Sequence, residues 1–256
     1  MTALIDQGAH LFSRLQVGGR KRVTVPAGAL PIRSPRALLA APQRQFLLRQ
    51  LSTLVSVSAA HYDALYLVAI ERFTNLVQQL PASEAHHHAG AGGLLDHSLE
   101  VAVIALQLRR GYLLPPGAAP EDQARLQDLW TYAVFTAALM HDLGKPVVDQ
   151  IVQLFDSHSK PAGIWEPWEG PMPESLGSYR VTFARERRQK LHERVVPLLV
   201  PSVLPPVGLS WIAGNRNAFA AWLAAVSGAI EEAGPLGEIL LQADQQSLAR
   251  HLTGGF

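Results

Sequence analysis

The stretch Met140-His141-Asp142-Leu143-Gly144-Lys145 closes a long apolar segment and sets the reading of the whole chain. Apolar residues recur at helical spacing from about Arg125 to Leu143, and Gly144 and Pro146 end the run, so His141 and Asp142 are expected in the last turn of a helix. A neutral imidazole and a carboxylate side by side offer one nitrogen and one oxygen to a divalent cation. Neighbouring helical side chains diverge by about 100°, so the pair cannot clasp an ion alone. It can hold one lying in a groove between helices, provided that other helices bring further ligands. Lys145 follows where a flexible cation can meet a substrate phosphate.

Two further segments offer such ligands. Gly92-Gly93-Leu94-Leu95-Asp96-His97-Ser98-Leu99-Glu100 places His97 in the first turn of a helix expected over about 97–110, with Asp96 as its cap and Gly111 as its end. Ala243-Asp244-Gln245-Gln246-Ser247 places an Asp in the middle of a helix expected from near Pro235 to about Leu252. A buried, unpaired carboxylate is costly. A metal relieves that cost at Asp244; a cap or a pairing with a surface arginine is the other reading. The chain has no cysteine, which excludes disulfides and zinc–thiolate sites. Ligands drawn from His, Asp, Glu and water suit Mn, Fe or Mg first, with Zn, Co or Ni as alternatives, and one or two ions.

The rest of the chain is read as mostly helical with a small β-hairpin insertion. Residues 1–33 form a basic leader with a short extended piece at Val23–Val25, and 34–256 form the helical metal-binding domain. Ser34-Pro35 reads as an N-cap with proline at the first helical position. Helices are expected over 35–40 and 42–55, from Ser58 to Pro81, and at about 183–199 and 216–232. Ile151–Phe155 and Ile164–Trp168 suggest the hairpin. The chain is 48% hydrophobic, ample for one sizeable core. No apolar run reaches the roughly 18 residues of a membrane span, and no signal-peptide pattern opens the chain, so a cytoplasmic protein without membrane insertion is expected. The ending Gly254-Gly255-Phe256 suggests the front part of a longer protein.

Charge is unevenly spread. Residues 1–62 carry eight bases and one acid; the remainder carries fourteen bases and twenty acids. Arg20-Lys21-Arg22 and the cluster Arg185, Arg187, Arg188, Lys190 and Arg194 are candidates for a polyanionic partner. A well-solvated leader explains the first group equally well. His86-His87-His88 lie in a Gly-rich loop, where one or two can reach a metal and the others contact phosphate or orient a ligand; exposed loop histidines are the alternative. His192, in the basic segment, is either a further ligand or a surface residue. His10, His61, His158 and His251 are read as structural or solvent-facing. Among Tyr62, Tyr66, Tyr112, Tyr132 and Tyr179 none stands out as a nucleophile, and burial with a bonded hydroxyl is the default for each.

His97, then His141-Asp142, then Asp244, in that order on separate helices, resembles the HD superfamily of metal-dependent phosphohydrolases, whose central motif takes the form His-Asp-Leu-Gly-Lys of residues 141–145. That resemblance implies an all-α bundle, those four residues as ligands, and hydrolysis of a phosphate ester by metal-activated water. Leu80-Pro81-Ala82-Ser83-Glu84-Ala85-His86-His87-His88, Gly92-Gly93-Leu94-Leu95, His97-Ser98-Leu99-Glu100-Val101, Trp130, Ala133-Val134, Ala137-Ala138, Trp165-Glu166-Pro167, Tyr179 and Arg188 to His192 are similar to the N-terminal domain of TraI-type MOB-H conjugative relaxases, over about residues 34–250. This narrower resemblance implies processing of DNA at a transfer origin for a conjugative plasmid or integrating conjugative element, alongside other conjugation-machinery proteins. It also implies a three-histidine motif, His86, His87 and His88, beside the HD site. On that basis His97, His141, Asp142 and Asp244 hold a first ion, and the triple histidine with His192 a second. Lys145 and Asp142 carry the chemistry, while Arg20, Lys21, Arg22, Arg187, Arg188 and Lys190 contact DNA. An HD-type nucleotide phosphohydrolase and a non-catalytic DNA- or partner-docking domain are the competing functions. The oligomeric state is not legible.

Overall fold

The computed structural model describes residues 25–85, 88–186 and 190–252. It is mostly helical with one small antiparallel sheet. After β1 (Leu30–Pro31) come α1 (Pro35–Leu39) and α2 (Pro42–Leu54). The side chain of Ser34 caps α1 by accepting from Ala37 N, with Pro35 in the first turn, as the sequence predicts. Ser58 caps the next helical run in the same way. That run is α3 (Ala59–His61), a π-helical turn (Tyr62–Leu67) and α4 (Val68–Val77). It stops before Pro81, because Gln78 turns to φ 49° with its buried side chain bonded to both backbone groups of Arg33.

The centre of the bundle is α5 (Gly93–Arg109), packed against α2, α4, α6 (Pro120–Met140) and α11 (Pro235–Leu252). Its side chains are buried nearly all round from Leu94 to Leu106, the mark of a core helix rather than a surface one. The second half of α6 is equally buried, from Leu129 to Met140. Each large aliphatic side chain interred there contributes about 1.5–3 kcal/mol, so these two helices anchor whatever they carry. Trp222 on α10 (Arg216–Val226) reaches into this core and donates from Nε1 to Thr136 Oγ1 at 2.9 Å.

Several expectations need correction. The expected hairpin is present as β2 (Gln150–Phe155) and β3 (Pro161–Ile164), but it belongs to a larger four-stranded sheet, which β4 (Ser178–Phe183) and β1 complete in the order β1-β4-β2-β3. Leu154 pairs with Tyr179 and Gln153 with Ile164, and Trp168 belongs to a 3-10 turn, Pro167–Glu169. The helix expected from 183 begins only at Leu191, as α8 (Leu191–Val203); Phe183 is still strand, and residues 179–183 alternate exposure at period two. A helix not expected, α9 (Pro206–Ala213), follows α8, and α10 ends at Val226 because Gly228 adopts φ 79°. A short α7 (Lys145–Val148) follows the His-Asp pair. Asp96 does not cap α5, which starts at Gly93; it forms a two-point ion pair with Arg44 of α2 at 2.7 and 3.1 Å. Leu30–Pro31 of the basic leader pair with β4, while residues 1–24, including Arg20, Lys21, Arg22 and most of the piece at Val23–Val25, lie outside the described residues.

The sheet fixes the loop ahead of α5. Tyr179 Oη accepts from Gln79 N at 2.8 Å, Gln150 Nε2 donates to Pro81 O at 2.7 Å, and Ala82 N donates to His88 O at 3.0 Å. Gly93 lets this loop close. A Cβ there would lie 1.8 Å from His88 O, so only glycine permits the approach.

Candidate metal centre

His97 occupies the second turn of α5 and is almost wholly buried. His141 follows the last residue of α6. A helix C-terminus leaves its final carbonyls without intrahelical partners, and Ala138 O takes up the His141 ring at Nδ1, 2.8 Å away. A carbonyl only accepts, so Nδ1 carries the hydrogen and Nε2 keeps its lone pair. Asp142 is buried beside it, and Asp244 comes from the middle of α11, as expected from the sequence.

These four side chains meet. His97 Nε2 lies 3.1 Å from His141 Nε2, 3.1 Å from Asp244 Oδ1 and 3.6 Å from Asp142 Oδ2. His141 Nε2 lies 3.5 Å from Asp142 Oδ2 and 3.8 Å from Asp244 Oδ1. Ligand bonds of about 2.1 Å set adjacent ligand atoms about 3.0–3.5 Å apart in octahedral or tetrahedral sites. The shortest of these separations match that spacing, and Asp244 joins the group through His97. The ligand atoms of His97, His141 and Asp142 all lie within 4.8 Å of one another, and this group can hold a metal ion.

The electrostatics suit the same task. Burial pushes the pKa of His97 down, outweighing the Asp244 carboxylate 3.1 Å from its Nε2, so the ring is neutral and able to ligate. Burial alone would raise the pKa of Asp142; His141, Lys145 and His97 together overcome it and hold the carboxyl well below the usual carboxylate range. Asp244 is likewise lowered against its burial, chiefly by the adjoining His97, with His141 adding to it. Lys145 Nζ rests directly on Asp142 Oδ2.

The centre opens into a cavity of about 310 Å³. His97, His141, Asp142, Asp244, Lys145 and His192 form its polar side; Ile230, Leu240, Leu241 and Leu248 form an apolar wall. Gly144 brings His192 there, since a Cβ at 144 would lie 1.8 Å from His192 O. His192 turns its Nδ1 toward Asp149 Oδ2, 3.4 Å away. His88 stands behind His97, ring centres 5.1 Å apart, with its Nε2 3.8 Å from Glu100 Oε2. His88 is therefore beside the cluster and not among its converging atoms. His86, His87, Arg187 and Arg188 lie outside the described residues, and Lys190 precedes α8 at φ 58°, exposed. Arg185 is not in a helix, which removes the continuous basic helix expected around His192.

No tyrosine is among the described residues lining this cavity. Tyr66, Tyr132 and Tyr179 are core residues, and burial pushes all three phenols up. Sequence reasoning passed over Ser247, Glu100 and Asp149. Ser247 bonds His97 Nδ1 at 3.1 Å and Glu100 Oε2 at 3.1 Å. The available signal was spacing: Glu100 is three residues after His97 and Ser247 three after Asp244, each on its ligand's helical face.

The sequence model of the family described as "TraI_2: Putative helicase" matches residues 29–256. The chain belongs to the TraI_2 family. That places it among TraI-type proteins of conjugative transfer, and the match takes in every residue of the candidate metal centre. No curated protein matches the chain. Among the described residues, no helix of this TraI_2 chain is long and apolar enough to cross a membrane.

Proposed function

We propose that this TraI_2 chain is a metal-dependent phosphodiesterase domain of the HD kind, acting in the cytoplasm as a relaxase on DNA at a transfer origin. The observation that supports the reading is the gathering of His97, His141 and Asp142 at a cavity, with Asp244 3.1 Å from His97 on its lining. His97, His141, Asp142 and Asp244 would hold a divalent ion, Mn, Fe or Mg by the donor set, which would supply Lewis-acid charge to a phosphoryl oxygen and acidify a water. Asp142 and Asp244 would contribute the negative charge that keeps such an ion, and the Nε2 atoms of His97 and His141 would fix its position. Lys145, seated on Asp142, adds positive charge beside the phosphate as it becomes more negative. The apolar wall receives the sugar or base of a single unpaired nucleotide and keeps bulk water from the reacting face. Lys190, with Arg20, Lys21, Arg22, Arg187 and Arg188, tracks the backbone beyond the site. His192 is the residue best placed to extend the ligand set toward a second ion, with Asp149 as its partner.

The family's description names a helicase. Within these residues there is no Gly-x-x-x-x-Gly-Lys-Ser/Thr phosphate loop; the Gly144-Lys145 pair is followed by Pro146. Nucleotide-driven unwinding is therefore not assigned to this chain.

The test is metal analysis and cleavage in parallel. Purified protein should carry a divalent ion, and changing His141 and Asp142 together to Ala should remove it and abolish metal-dependent cleavage of single-stranded origin DNA. Retention of metal by the double variant would count against the site. One observation favours a second reading: a cavity of about 310 Å³ is at the small end for ligand sites and suits a free nucleotide. A panel of nucleotides run against origin DNA separates an HD-type nucleotide phosphohydrolase from a relaxase.

A further inference from the structure

We infer that Glu100 and Ser247 are positioning residues that fix the tautomer of His97 and so aim its Nε2 lone pair into the cluster. The inference rests on the metal-centre reading above. His97 Nδ1 is 3.1 Å from Ser247 Oγ, and Ser247 Oγ is 3.1 Å from Glu100 Oε2. Ser247 is fully buried and Glu100 nearly so, so neither contact competes with bulk water. A serine hydroxyl has one hydrogen to donate, and a carboxylate only accepts. The Ser247 hydrogen therefore goes to Glu100, leaving the Ser247 oxygen as an acceptor. It takes its hydrogen from His97 Nδ1, and His97 Nε2 is left with a lone pair.

The direction matters because the opposite one is chemically available. Were Ser247 to donate to His97 Nδ1, the ring hydrogen would sit on Nε2, where His141 Nε2 and Asp244 Oδ1 both wait at 3.1 Å to accept it. A hydrogen there blocks the ligating position. Glu100 removes this choice. It is itself held by Arg250 Nη1 at 3.8 Å and His88 Nε2 at 3.8 Å, which gives His88 a role at the rear of the site. Outer partners of this kind commonly change metal affinity by about 10- to 100-fold.

The decisive measurement is the His97 tautomer, read from ring ¹⁵N shifts in metal-free protein, together with Mn²⁺ affinity by chelator competition. In the wild type the hydrogen is expected on Nδ1. Ser247→Ala should move it to Nε2 and weaken Mn²⁺ binding by about 10- to 100-fold, and Ser247→Thr, which keeps the hydroxyl, should restore both. Glu100→Gln should act like Ser247→Ala, since an amide can donate to Ser247 Oγ and reverse the chain. A wild-type His97 carrying its hydrogen on Nε2 overturns the inference without any variant, as does a Ser247→Ala protein with unchanged tautomer. If the wild type binds no Mn²⁺ yet shows the Nδ1 hydrogen and its loss in Ser247→Ala, the relay stands and the metal-centre reading falls.

Discussion

His97 and His141 face each other through their Nε2 atoms at 3.1 Å, one presented by the core helix α5 and the other by the end of α6. His141 gives its Nδ1 hydrogen to Ala138 O, so its Nε2 brings a lone pair to the contact. With Asp142 and Asp244 beside them, the four groups form a concentration of acceptors that a cation would stabilise.

Asp244 is the proposed ligand that comes from farthest along the chain, and its side chain is one-third exposed. Asp244→Asn should leave the bundle folded, because α11 is held by Leu236, Ile239, Leu240 and Ala243 in the core. It should nevertheless lose metal by more than the roughly 10- to 100-fold typical of an outer partner. Isothermal titration with Mn²⁺, set beside a thermal melt, checks both halves; an unaltered affinity would remove Asp244 from the site.

The metal-free protein should lose stability as pH falls below about 6.5. His97 has an ordinary pKa of 6.5 when unfolded and a lowered one when folded. Below 6.5 the unfolded chain therefore binds a proton that the native state does not, and stability rises with pH across that window. Asp142 and Asp244, also lowered, extend the loss to more acid pH, where their carboxyls begin to protonate in the unfolded chain. Melting temperatures of chelator-treated protein between pH 7.5 and 5 provide the check, and a flat profile would contradict the buried neutral His97.

Gly144→Ala should destabilise the fold by about 1–3 kcal/mol, the usual range for overpacking. The new Cβ would lie 1.8 Å from His192 O and 2.7 Å from Val195 Cγ2, so α8 must shift. Urea denaturation measures the loss. His192 lines the cavity, so the same shift should enlarge its mouth and weaken nucleotide or DNA binding.

Arg44→Met should cost about 1–3 kcal/mol. Arg44 is buried, donates from Nη1 to Leu38 O at 2.7 Å and holds Asp96 at two points, while Asp96 keeps partial contact with water and so softens the loss. Comparison of denaturation midpoints with Asp96→Asn tests whether the pair, rather than the carbonyl contact, dominates.

Phe substitutions at Tyr62, Tyr66 and Tyr132, one at a time, should leave metal-dependent cleavage unchanged. Tyr62 and Tyr66 stack on each other at 5.6 Å and Tyr66 meets Tyr132 edge-on at 5.2 Å, a core arrangement. Burial pushes the Tyr62 phenol up to about 12. A single such variant that abolishes cleavage would reinstate a tyrosine nucleophile.

The local signals in the chain determined the mostly helical class, several helix starts and the candidate site residues. Ser34-Pro35 and Ser58 cap helices through contacts a few residues long, and the apolar run ending at His141-Asp142 needs only its own periodicity to be read. Asp244 stood out because a carboxylate in an apolar helix requires a partner. What distant segments do to one another was decided by the tertiary structure alone. The helix expected from about 183 starts only at Leu191, because Phe183 pairs with Gln150 of β2, some thirty residues away, and that pairing outweighs local preference. Asp96 resembled a cap until α2 brought Arg44 to it. The Glu100–Ser247–His97 chain joins residues separated by 147 and 150 positions, and no spacing rule spans that distance. Hydrogen-bond direction and metal geometry depend on angstrom-scale placement in space, which the packing of α5 against α6 and α11 supplies.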